Sequence, residues 1–143
     1  MHDLDRFLKA QADSYETALK EIRSGKKRSH WMWYIFPQLK GLGRSEMAAY
    51  YGIANGQEAD AYLSHPILGR RLQEISMALL ALDTSDAETV FGYTDQMKLH
   101  SCMTLFYEVS HFLVFKRVLD KFFDGERDPR TVAMLDAESP AKR

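Results

Sequence analysis

The chain has 143 residues, 45% apolar and 27% charged, with 19 Lys and Arg against 20 Asp and Glu. That length predicts one domain with its own hydrophobic core. The balanced charge argues against a generic nucleic-acid binder, which neutralises phosphates with a basic excess. A single cysteine, Cys102, excludes an intramolecular disulfide and a cysteine zinc cluster. The start Met1 to Asp5 lacks a signal pattern, and no apolar run reaches the roughly 18–20 residues that cross a bilayer. A cytoplasmic protein that does not contact the membrane is expected.

In chain order, Leu4, Phe7, Leu8, Gln11, Tyr15, Ala18, Leu19 and Ile22 recur at helical steps, with Asp3 as N-cap and Gly25 as stop. Lys26-Lys27-Arg28 reads as a solvated loop. The run His30-Trp31-Met32-Trp33-Tyr34-Ile35-Phe36-Pro37-Gln38 holds both tryptophans. Its rings favour strand, but no partner strand follows, so a buried helical turn or an irregular segment ended by Pro37 is expected. Gly41-Leu42-Gly43 makes a loop, and Ser45 caps a short helix to Tyr51.

Gln57 to Leu63 reads as a further helix. His65-Pro66 opens a longer one, with Ile67, Leu68, Leu72, Ile75, Leu79 and Leu82 as its buried stripe. Ser85-Asp86-Ala87-Glu88 matches a capping box, and Gly92 closes that helix. Thr94 caps a helix through Val109 whose pattern continues from Phe112 to Phe122, and Asp128-Pro129 opens the last. With no linker or repeat, the expectation is an all-α fold: a single irregular bundle of about seven helices over 1–138, and a polar tail at 139–143.

The candidate chemistry gathers at two places. In the first, Trp31 and Trp33 are either core or a stacking wall for a planar ligand, and His30 is either a packed histidine or a general acid/base. In the second, Asp95, Lys98 and Ser101 follow one another along the start of a helix. There a lysine beside a serine is either a route to an activated hydroxyl or an ion pair next to a serine bonded into its own turn. Arg71 follows His65 by about two turns as an anion binder or a surface charge, and Arg70 joins it in a local basic pair. His65 reads as a cap, Cys102 as a buried hydrophobe, and Glu58 and Glu74 as lone carboxylates. The histidines show no metal-ligand spacing, so neither a metal nor a cofactor is expected.

His30-Trp31-Met32-Trp33, Phe36-Pro37-Gln38, Gly41-Leu42-Gly43 and Ser45 together resemble the opening signature of the domain-of-unknown-function 1810 family. Matches continue through Glu58-Ala59, Ala61-Tyr62-Leu63, His65-Pro66, Leu68-Gly69, Arg71-Leu72, Phe91-Gly92, Asp95, Lys98-Leu99, Ser101 and Met103-Thr104-Leu105-Phe106, and the likeness reaches Asp128 and Thr131. Cys102 stands where the pattern has a second serine. The resemblance implies a compact helical bacterial protein, and it implies no activity, since the family is uncharacterised. It singles out His30, Trp31, Trp33, Gln38, His65, Arg71, Asp95, Lys98 and Ser101.

These residues lead to one expectation and one rival. The expectation is a pocket between residues 30–45 and 94–110 that holds a small anionic or nucleotide-like ligand. His30, Lys98 and Ser101 would be its reactive groups, and Trp31, Trp33, Gln38, Arg71 and Asp95 its binding groups. If the site is catalytic, hydrolysis or glycosidic chemistry is the class to test. The rival is a non-enzymatic interaction module whose signature residues form a structural polar core, with an exposed Met and aromatic face for a protein partner. Convergence of His30, Lys98 and Ser101 on one open concavity separates the two.

Overall fold

The computed structural model describes residues 3–138, so the tail expected at 139–143 lies outside the described residues. The chain runs α1 (Asp5–Ala12), α2 (Tyr15–Arg23), α3 (Met32–Ile35), α4 (Glu46–Tyr51) and α5 (Gly56–Ser64). It continues α6 (Leu68–Leu80), α7 (Ala87–Phe91), α8 (Tyr93–Ser110), α9 (Leu113–Phe123) and α10 (Pro129–Glu138). The all-α class is as expected. Among the described residues the only sheet-like pairing is one isolated parallel bridge, Leu39 to Ile53.

Among the described residues there are ten helices where about seven were expected, chiefly because two long apolar patterns are each cut by local chemistry. The first breaks at Asp13-Ser14, where the Ser14 hydroxyl bonds back to the Ala10 carbonyl and its backbone leaves helical geometry (φ −126°). Serine competes in this way with continuing helix. The second breaks at His111, which is left-handed (φ 59°), while Ser110 Oγ accepts the Phe112 N–H at 3.0 Å. Across the first break Phe7, Gln11, Tyr15, Ala18 and Ile22 keep helical spacing, whereas at the second α8 is buried all round and has no single face to continue into α9.

Cap expectations fared differently by position. Ser45 Oγ accepts the Ala48 N–H at 3.1 Å, as expected. His65 also caps, its Nδ1 accepting from Ile67 at 3.1 Å and Leu68 at 3.3 Å. The cap of α7 is Asp86 rather than Ser85, accepting from Glu88 N at 3.0 Å. Helix α8 starts at Tyr93, one residue before the expected cap Thr94, directly after the left-handed Gly92 (φ 83°). The aromatic segment is the single buried turn α3, ended before Pro37.

The core is organised around α8. Leu99 and every residue from Ser101 to Phe106 are buried, so this helix has no solvent face along its middle turns. Helices α5, α7, α9 and α10 cover it, while α6 packs on α2, α5 and α9. The cluster joins Phe7, Ile22, Trp31, Phe36, Tyr62, Leu72, Phe106 and Phe115 into one continuous core.

Helix α1 is fastened to the α4–α5 connection by a charge pair the sequence did not reveal. Arg6 donates to Glu58 Oε1 at 3.1 Å and to the carbonyls of Tyr50 and Gly52 at 2.9 and 3.0 Å. Glu58, read as a lone carboxylate, also accepts the Ala54 N–H at 2.8 Å.

The crossing of α5 and α6 depends on Gly69, where a Cβ would lie 1.9 Å from the Leu63 carbonyl oxygen. Exchanging Gly for Ala inside a helix ordinarily stabilises by about 1 kcal/mol. Here the sign reverses: Gly69→Ala should lose about 1–3 kcal/mol through backbone displacement. Urea denaturation measures this, and a variant as stable as the parent would contradict the tight crossing.

Candidate functional site

Trp31 is core. It is 1% exposed, packs on Phe36 and Phe91, and donates its indole N–H to Glu21 Oε1 at 2.9 Å. Glu21, near the end of α2, also accepts the backbone N–H of Arg28 at 2.7 Å and of Ser29 at 3.0 Å, and the Ser29 hydroxyl at 2.5 Å. One carboxylate thereby closes the loop after α2 and sets the entry of the aromatic segment. Partial burial pushes this carboxyl up, but the Ser29, Arg28 and Trp31 donors outweigh it and bring it down to about 2.

Trp33, Gln38 and Lys98 do come together, as the expectation required. With Phe36, Ala48, Tyr51 and Gly52 they line a hollow of about 10 Å³, room for roughly one water molecule. The Lys98 ammonium stands 5.1 Å from the Trp33 ring and 3.1 Å from Asp95 Oδ1. Asp95 is shared with Lys27, at 3.0 Å, whose ammonium lies 5.1 Å from the Trp31 ring. Lys27 was read as a loop charge. It is instead the link between the aromatic segment and the start of α8.

The remaining expected residues lie elsewhere. His30 is exposed, and among the described residues its ring has no hydrogen bond. Ser101 is 2% exposed, with its hydroxyl 2.8 Å from Asp128 Oδ2 and 3.1 Å from the Met97 carbonyl. Asp128 accepts from Thr131 Oγ1 at 2.6 Å, and its own N–H donates to Thr104 Oγ1 at 2.9 Å. Burial pushes the Asp128 carboxyl up, and the Thr131 and Ser101 hydroxyls more than reverse it, holding it below the usual range. The whole group docks α10 onto α8. Arg71 lies over the Tyr15 ring at 5.1 Å and donates to Gln11 Oε1 at 3.3 Å. Gln11 in turn donates to Tyr62 Oη and the Tyr34 carbonyl at 3.0 and 2.8 Å. His30, Lys98 and Ser101 therefore share no concavity, and Lys98 is paired with Asp95 rather than with a serine.

A larger cleft opens where the sequence reading looked least. It has a volume of about 820 Å³ and lies between the end of α2, the α5–α6 turn and the outer face of α6. Leu63, Met77, Ala78, Ala81 and Leu82 line its apolar part, and Arg23, His65, Arg70, Gln73 and Glu74 its polar part. Neither Arg23 nor Arg70 has a hydrogen-bond or ion-pair partner among the described residues. His65 Nδ1 is occupied by the two backbone N–H groups it accepts, so its ring proton sits on Nε2. Glu74 Oε1 accepts the Tyr15 hydroxyl at 2.5 Å. Burial first, then Glu74, push Tyr15 far above its ordinary range, so it remains a neutral donor.

A sequence signal for this face exists. Arg70, Gln73, Glu74, Met77, Ala78 and Ala81 follow the i, i+3, i+4, i+7 rule beside the buried stripe of α6. The mixed character of that second stripe made it read as surface. A wider groove of about 1080 Å³, lined by Asn55, Tyr107 and Leu135 among others, has most of its charges engaged, Arg127 with Glu108 at 2.9 Å and Glu138 accepting the Gly56 N–H at 2.9 Å. Among the described residues no three His, Cys, Asp or Glu side chains are grouped to hold a metal ion, and no helix is long and apolar enough to cross a membrane.

An all-helical domain whose tryptophan, lysine and serine signature is largely built into its packing defines the class. The family profile described as protein of unknown function (DUF1810) matches residues 1–135, and the chain belongs to that family. Its fold is similar to the crystal structure of the conserved hypothetical protein Rv1873 from Mycobacterium tuberculosis, with TM-score 0.91 and 46% identity over 93% of this chain and 96% of that one. No curated protein matches the chain.

Glu21→Gln should lower stability by about 1.5–3 kcal/mol, the range of a charge-assisted hydrogen bond. The folded carboxyl titrates near 2 instead of its ordinary 4.5. Its stabilisation is therefore complete above about pH 4.5 and disappears as the pH falls towards 2. Urea unfolding of both chains at pH 6 and pH 3 should show a smaller acid loss for the Gln variant. Equal losses would remove Glu21 from this role.

Proposed function

We propose that this protein binds a small organic anion whose apolar body lies in the cleft along the outer face of α6. The observation that carries the reading is a pair of arginines, Arg23 and Arg70, without partners among the described residues, on an apolar-lined cleft of about 820 Å³. Ligand sites are typically concavities of about 300–1,000 Å³, mostly apolar, with few convergent polar groups. The hollow at Trp33 and Lys98, at about 10 Å³, is far below that range. The ligand class expected from the sequence is therefore kept, and the cleft on α6 takes the place of the 30–45 and 94–110 interface.

The reading is one of binding. Ser64 and His65 both line the cleft, but a histidine whose Nδ1 is held by backbone donors offers a proton at Nε2 and is no base for the neighbouring hydroxyl. Its Nε2–H adds a third donor for an anion. The charge of Arg71, by contrast, is turned to Gln11 and Tyr15.

The test uses 1-anilinonaphthalene-8-sulfonate, an anion with an apolar ring body, as the probe. The native chain should bind it with a saturable fluorescence rise, and Arg23→Ala/Arg70→Ala should weaken binding at least tenfold, about 1.4 kcal/mol. An unchanged near-ultraviolet circular dichroism spectrum excludes a loosened state that would bind the dye nonspecifically. Equal affinity in a folded double variant would overturn the reading.

A further inference from the structure

The cleft holds one carboxylate among its cations, and that carboxylate has an available oxygen. Glu74 has no ion-pair partner among the described residues. Its Oε1 is taken by the Tyr15 hydroxyl, which is also 3.1 Å from the Arg71 carbonyl, and its Oε2 has no donor among the described residues. The tyrosine fixes the carboxylate in position without neutralising it. A ligand that carried only negative charge would face repulsion from Glu74, whereas one with a cationic group as well complements both signs of charge that line the cleft.

Gln73 adds a neutral element between them. Its amide nitrogen donates to the Gly69 carbonyl at 3.3 Å, which leaves Oε1 as an acceptor. Met77, 61% exposed, and Leu82 supply adaptable apolar surface alongside. An anion site, a fixed carboxylate, an amide acceptor and apolar contacts in one cleft match the groups of a peptide with free ends.

Resting on the anion-cleft reading above, we propose that the ligand is a short apolar peptide with both termini free. Its carboxylate lies on Arg23 and Arg70, its ammonium on Glu74, and its side chains on the Met77–Leu82 surface.

The test is displacement of the anilinonaphthalene sulfonate from the wild-type chain by Leu-Leu, N-acetyl-Leu-Leu and Leu-Leu-amide, with isothermal titration of each dipeptide. Leu-Leu should compete, and capping either end should weaken it at least tenfold. In Glu74→Gln, which keeps an acceptor for Tyr15, N-acetyl-Leu-Leu and Leu-Leu should compete equally. If N-acetyl-Leu-Leu competes as well as Leu-Leu on the wild type, the proposal falls. It also falls if no dipeptide displaces the dye while the arginine double variant still loses dye binding, and then the anion cleft stands alone. Dye binding indifferent to the arginines brings down both.

Discussion

Helix α8 is buried all round through its middle, and most of the architecture follows from that requirement. An 18-residue helix has only its ends free when Leu99 and Ser101 to Phe106 must all be removed from water. Neighbours therefore have to arrive from every side, and α5, α7, α9 and α10 do. Polar side chains caught along α8 must find partners inside the protein, because an unsatisfied buried hydroxyl is destabilising. Ser101 and Thr104 find them in Asp128 at the start of α10. The charged pair Asp95 and Lys98 falls in the exposed first turns, where Lys27 and Trp33 reach it from the preceding segment.

Carboxylates act as fasteners at three of the non-helical junctions. Glu21 closes the loop that enters the aromatic segment, Glu58 receives Arg6 across the α4–α5 connection, and Asp128 docks the last helix. Each gathers several donors, Glu58 and Asp128 partly from segments distant in sequence and Glu21 from the loop that follows its own helix, the arrangement in which a buried polar group specifies one packing rather than merely tolerating it. Trp31, Asp95 and Ser101, which the family likeness singles out, belong to these fastenings. That accounts for a signature rich in reactive residue types whose members do not converge on a reaction centre.

Function then has to be sought where side chains are not already engaged. Helix α6 presents two faces: a buried stripe through Leu72, Ile75 and Leu79, and an outer stripe from Arg70 to Ala81 on which the cleft lies. Arg23 and Arg70 are exposed cations without partners among the described residues, set beside apolar surface, and a ligand with complementary charge can engage both features at once. Tyr15 connects the two regimes, since it is part of the core and also positions Glu74.

Local and periodic information in the sequence determined the helical class, the buried stripes and the caps at Ser45 and His65, while the aromatic run stayed open between a helical turn and an irregular segment. These depend on spacing and on residues within a few positions of one another. Tertiary structure decided whatever rested on partners dozens of residues apart. It joined Arg6 to Glu58, turned Ser101 towards Asp128 and sent Arg71 to Gln11. A charged or hydroxylated residue reads the same in sequence whether its partner is solvent, core or ligand. Only the packing of α2, α5 and α6 determined that Arg23 and Arg70 would stand without partners over a cleft, because pairing is a property of three-dimensional distance that no residue carries alone.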